Sequence, residues 1–238
     1  MENRVRAFWT SDRSLNVLLW LLGITIFGVI PTLALGPLPG WEHETLTAFF
    51  SLVMISVVLS AWSEKRSRRL ILVAAMVPLL LLWLELFYKA PLFTMVSGGI
   101  RLGMVAVFAA VLLGRVLAEG PVTTARLKGA IAVYLLIGVI WEEAYRVVSI
   151  AAPGALSVGA HDPQSVKYTA ELLYFSFSTL TTAGYGDIVP MNPIARSLAN
   201  AEAIMGQMYV VLLIGRLLSQ HLAEEGLEKA RRRAEREG

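Results

Sequence analysis

Apolar positions along this chain fall in long unbroken runs, unlike the alternation of a half-buried strand or the one-sided stripe of a surface helix. The runs are Leu15 to Leu35, Leu46 to Trp62, Leu70 to Phe87, Leu92 to Leu117, Gly129 to Ile150 and Ile194 to Leu218, each bounded by charged, Gly or Pro residues. An apolar helix of about 18 residues or more crosses the ~30 Å hydrocarbon core of a bilayer, so these runs predict an all-α membrane protein with six transmembrane helices. The first run exceeds the roughly 7 to 15 residue core of a signal peptide and is expected to stay as a membrane helix. Inside the long connection Ala151 to Pro193 lies another apolar segment, Tyr168 to Leu180, too short to span. That length predicts a re-entrant helix, with Asp162 as its N-cap and Pro163 in its first turn.

Composition agrees with lipid as the solvent. The 238 residues are 56% hydrophobic and 16% charged, with a mean hydropathy of +0.62, more apolar surface than a soluble domain hides from water. A sequence pI near 9.3 does not indicate nucleic acid, because the basic residues sit in short connections and not on a soluble face. Arg4, Arg6 and Arg13 precede the first run, Lys65, Arg66, Arg68 and Arg69 join the second and third, and Arg126 and Lys128 precede the fifth. The tail adds Lys229, Arg231, Arg232, Arg233 and Arg236, whereas the opposite connections hold Glu42, Glu44 and Lys89. The positive-inside rule then predicts both termini in the cytoplasm of a multi-pass protein of the cell (plasma) membrane. The break Glu119-Gly120-Pro121 divides the chain into a four-helix block (1–118), a second block (119–220) and a charged cytoplasmic tail (221–238). Basic residues of that tail either touch anionic lipid or complete the topology, and the second reading is favoured. His43, His161 and His221 each stand alone, and there is no Cys, so neither a metal centre nor a thiolate cofactor is expected.

The stretch after the short apolar segment, Thr181-Thr182-Ala183-Gly184-Tyr185-Gly186-Asp187, is rich in glycine at membrane depth. Non-helical backbone is tolerated there only when protein or a water-filled path satisfies it. Replacing the water shell of an ion with carbonyl oxygens is such a use, and Gly184 and Gly186 permit the backbone angles that aim successive carbonyls at one axis.

With its approach from Tyr174 onward, this stretch resembles the pore helix and filter of the pore-loop potassium channels, whose TVGYG loop is a familiar illustration of carbonyl ion coordination. The resemblance covers Gly129 to about Gln220. It implies that the carbonyls of Thr182, Ala183, Gly184 and Tyr185, with the Thr182 hydroxyl and the turn at Gly186, coordinate permeant potassium. It also implies that four chains surround one axis as a homotetramer. Ala183 departs from the family, where Val or Ile is usual, and thins the packing behind the filter. By the same resemblance Tyr174 is placed to hydrogen-bond Asp187, and Gly206, twenty positions beyond Gly186, sits where similar channels carry an inner-helix hinge. Close packing against a neighbouring helix is an equal explanation of Gly206.

Two readings stand for Glu142 and Glu143: solvated pairing with Arg146 at i+4 and i+3, or one of them accepting from backbone amides just after the filter, as in similar channels. The fourth run carries only Arg101 and Arg115, too few for an Arg-rich voltage sensor, and Arg101 is expected to pair inside the bundle or snorkel. Neither the inverted repeats of a secondary transporter nor the converging polar groups of a membrane enzyme are visible in the sequence. A non-selective cation pore is a nearer alternative, but Tyr185 stands where such pores commonly place an acid. The expected function is passive, potassium-selective conduction without voltage gating, with membrane lipids as surroundings and no cofactor.

Overall fold

The computed structural model describes residues 12–35, 42–61, 68–88, 90–118, 123–158 and 165–237. The expectations placed on Arg4, Arg6, Lys65, Arg66, Lys89, the Glu119-Gly120-Pro121 break, His161, Asp162 and Pro163 lie outside these residues. Among the described residues every regular element is helical, and an isolated antiparallel bridge joins Leu156 to Pro190.

The first run folds as α1 (Asp12–Ile24), a π-helical turn (Thr25–Val29) and α2 (Ile30–Leu35). Pro31 accounts for the π turn: it lacks an N–H, and its ring would strike the carbonyl four residues back. Widening the turn relieves that contact, and the Ile30 N–H bonds the Thr25 carbonyl five residues back. There follow α3 (Glu42–Ala61), α4 (Arg68–Leu84), α5 (Pro91–Val116), α6 (Thr124–Ala151), α7 (Val166–Leu180) and α8 (Pro193–Glu237).

Helix boundaries move outward from the apolar runs where polar residues favour a helix end. Glu42, His43 and Glu44, expected in a loop, form the first turn of α3. Thr123 caps α6 by accepting from the Arg126 N–H, so the helix begins before Gly129. The α8 helix does not stop at Leu218 but continues to Glu237, because the tail is rich in Ala, Glu, Lys and Arg, all good helix formers. Leu15–Thr32 and Pro91–Val116, each of mean hydropathy 2.0, are the described helices long and apolar enough to cross a bilayer by length and composition.

The α6 helix is the hub. It packs most extensively on α5 and also holds α1, α7 and α8, while α7 touches α2 and α8. Much of α7 is enclosed, with Leu172 and Leu180 at 0% and 1% exposure, so its C-terminal end is fixed by neighbours on several sides. Gly138 of α6 lets the Phe177 ring press against its backbone, since an added Cβ would lie 2.6 Å from that ring.

Candidate ion filter and its supports

The candidate filter loop takes its shape from the way α7 ends. Ser165 caps its start, accepting from the Tyr168 N–H at 3.1 Å; the cap expected at Asp162 falls outside the described residues. Past Leu180 the amides turn back onto the helix: Thr182 N–H to the Thr179 carbonyl (2.9 Å), and both Ala183 (2.8 Å) and Gly184 (3.2 Å) to the Ser178 carbonyl. The Tyr185 N–H reaches the Ser178 hydroxyl at 3.4 Å. No described peptide is cis, and in a trans peptide the carbonyl of one residue opposes the N–H of the next. The carbonyls of Thr181, Thr182, Ala183 and Gly184 therefore point away from α7, to the uncovered side of the loop.

Backbone handedness supports this. Thr182, Gly184 and Gly186 have φ of 58°, 57° and 82°, with negative φ at Ala183 and Tyr185 between them. Alternating hand cancels the rotation that would spread successive carbonyls around a helix. The two glycines adopt these angles freely. Thr182 is the unexpected member, because a β-branched residue rarely has positive φ and the strain is of order 1–3 kcal/mol. Its hydroxyl is held by α8, Gln207 Nε2 donating to Thr182 Oγ1 at 3.0 Å.

At the outer end the Tyr185 ring stacks on Tyr174, centroids 5.8 Å apart and planes 11° from parallel. The Tyr174 hydroxyl lies near the Asp187 carboxylate, which accepts from the Ile188 N–H at 3.1 Å. Beyond Asp187 the chain is clamped to the segment after α6. Val189 N–H meets Ser157 Oγ at 2.8 Å, Ser157 N–H meets the Val189 carbonyl at 2.9 Å, and Met191 N–H meets the Ala155 carbonyl at 2.8 Å.

Glu142 and Glu143 do pair with Arg146 at i+4 and i+3, but the solvation expected with that pairing and the alternative reading need correction. The amides of Ile188, Val189 and Met191 are taken by Asp187, Ser157 and Ala155, so neither Glu142 nor Glu143 braces them. Nor are the acids solvated. Glu142 is 1% exposed and pairs with Arg146 at 2.5 Å, whose guanidinium also reaches Thr169 of α7 at 2.7 Å. Glu143 pairs with Arg101 at 2.7 Å, and Arg101 also forms an ion pair with Glu85 at 2.6 Å whose angle does not make it a hydrogen bond. Gly98 makes room for this, as a Cβ there would sit 2.6 Å from Glu143 Oε1. Burial explains the pairing: a carboxylate removed from water needs a cation, and those within reach lie on α5 and one turn along α6. Arg101 thus pairs inside the bundle and ties α5 to α6.

Sequence reasoning missed the contacts of α8. Glu202 is 0% exposed and meets Tyr145 of α6 and Ser176 of α7, each at 2.6 Å. One turn on, a Cβ at Gly206 would lie 2.0 Å from the Leu180 carbonyl oxygen. Gly206 thus permits close contact with the end of α7, and α8 continues through it without interruption. A carboxylate within an apolar run was the available signal for Glu202; nothing in the sequence marked Ser178 or Gln207.

Residues 129–221 match a family model described as ion channel, and a membrane ion channel is the class that this fold and loop define. Over 55 residues the chain is 40% identical to "Two pore potassium channel a" of Oryza sativa subsp. japonica, a stretch covering 23% of this chain and 16% of that protein's length. No solved structure matches the chain. These matches make residues 129–221 similar to ion channels and support a place in the pore-loop potassium channel superfamily.

Proposed function

We propose that four copies of this chain surround an axis lined by Thr182 to Gly186 and conduct potassium passively and selectively across the cell membrane. The observation that carries this reading is the row of carbonyls, Thr182 to Gly184, turned away from α7 by the following amides, all bonded to Ser178. Oxygens on one side of a strand with alternating hand replace the hydration shell of an alkali cation when four strands face one another. Potassium is the permeant ligand, and no other cofactor is required.

The tetramer is supported by what a single chain leaves uncovered. Tyr185 is 72% exposed although its ring belongs behind the filter, and Ile204, Met208 and Leu212 form an apolar stripe along α8 with 63%, 51% and 67% exposure. Neighbouring chains would cover these surfaces; lipid would cover the outer faces of six spans with both termini cytoplasmic. Voltage gating is not part of the proposal, because Arg101 is held by Glu85 and Glu143 and one charge supplies only ~2.3 kcal/mol per 100 mV. The test is purified protein in liposomes with opposed potassium and sodium gradients. Reversal potentials following potassium support the reading, and equal permeability to the two ions replaces it with a non-selective pore.

A further inference from the structure

Glu202 lies in a site whose hydrogens can be counted. Its Oε2 meets the Tyr145 hydroxyl at 2.6 Å, its Oε1 meets Ser176 Oγ at 2.6 Å, and Ser176 Oγ also meets the Gly138 carbonyl at 2.8 Å. Three contacts at hydrogen-bond distance need three hydrogens. The two hydroxyls supply one each, and a backbone carbonyl supplies none. If Ser176 gives its hydrogen to Gly138, the contact between Ser176 and Glu202 must be filled from the Glu202 side. If it gives it to Glu202, Ser176 Oγ and the Gly138 oxygen face each other with nothing between them, in a place where both residues are buried. Among the described residues no Lys, Arg or His forms an ion pair with Glu202, in contrast to Glu85, Glu142 and Glu143. A carboxylate with neither water nor a cation is the costly state, and a carboxylic acid is the one that fits.

We infer that Glu202 is held as a neutral carboxylic acid that donates to Ser176 and accepts from Tyr145, and that this acid is a positioning residue for the filter. Its reach follows from register. Glu202 and Gly206 are one turn apart on α8, and they meet Ser176 and Leu180, one turn apart on α7. Two residues after Ser176 comes Ser178, whose carbonyl and hydroxyl hold the amides of Ala183, Gly184 and Tyr185. The acid therefore fixes the height and rotation of α7 relative to both flanking helices, and through Ser178 the direction of the carbonyls.

The inference about the acid stands without the channel reading, whereas its effect on the filter rests on it, so the two are read separately. Infrared spectra of the full-length protein in liposomes, with and without carbon-13 glutamate, should contain a protonated-carboxyl stretch that Glu202→Gln removes and Ser176→Ala shifts. Potassium flux should survive Glu202→Gln within about twofold, since an amide can donate to Ser176 and accept from Tyr145, and should fall more than tenfold in Glu202→Ala. Absence of any band that responds to Ser176→Ala overturns the neutral acid, whether or not the Gln variant folds. Flux in Glu202→Gln as low as in Glu202→Ala overturns it too, because the charge would then be the needed feature. A normal band together with full flux in Glu202→Ala overturns the positioning role alone.

Discussion

Replacing Gly206 with alanine separates two explanations of the same residue by the sign of one number. In an uninterrupted helix, Ala is favoured over Gly by roughly 0.5–1 kcal/mol, so a glycine kept only for bending should give a more stable protein when replaced. The structure adds an opposing effect. The new Cβ would lie 2.0 Å from the Leu180 carbonyl oxygen, 2.9 Å from its carbonyl carbon and 3.1 Å from Leu180 Cδ1. Real Cβ contacts are at least about 3 Å, so α7 and α8 must part by about 1 Å, and overpacking of this kind costs about 1–3 kcal/mol. The obstructing group is backbone, with no rotamer to change. Packing outweighs propensity, and Gly206→Ala should lower stability by about 1–2 kcal/mol net. The displaced residue, Leu180, adjoins Thr181 and Thr182, so potassium flux should fall with it. Thermal unfolding of the assembled protein in detergent, paired with liposome flux, reads both quantities. An alanine variant of equal or greater stability, altered only in open probability, would refute the packing argument and leave the hinge.

Gly184→Ala should express and fold but lose selective potassium flux: nothing lies within 4 Å of the added Cβ, and the strain comes from φ of 57°, about 1–2 kcal/mol for an L-residue. Arg101→Gln takes the paired cation from Glu85, leaves Glu143 with the more distant Arg146 at 3.9 Å, and should cost about 3 kcal/mol of stability, measured by thermal unfolding. The slope of its conductance against voltage should match the parent, and a flattened slope would make Arg101 a gating charge. Tyr174→Phe removes the hydroxyl near Asp187 while keeping the ring stacked on Tyr185, so sustained current should decline faster; unchanged current would show that the outer filter does not depend on that hydroxyl. Gln207→Leu leaves the Thr182 hydroxyl without its inner-helix donor, and unitary conductance should change about threefold, on the order of one neutral hydrogen bond; an unaltered conductance would show that Thr182 keeps its strained angle unaided.

The helices and the loop were legible because each depends on local chemistry. Long apolar runs with capped ends specify helices whatever they pack against, and Gly184 and Gly186 announce left-handed backbone wherever they stand. Errors at the boundaries had local causes too: Thr123 and Glu42 start helices ahead of the apolar residues. The acids of α6 were a different case. Sequence spacing gave the pairing of Glu142 and Glu143 with Arg146, but whether these residues meet water, the filter or another helix depends on what lies across from them.

The sequence by itself determined a membrane protein of long helices with one short helix feeding a glycine-bearing loop, since hydrophobic length and backbone freedom are properties of consecutive residues. Only the tertiary structure decided that Arg101 bridges Glu85 and Glu143, that Glu202 is enclosed by Tyr145 and Ser176, and that Thr182 takes a positive φ beside Gln207. Those partners are separated by 16 to 57 positions along the chain, and their worth comes from the exclusion of water, which no residue produces alone.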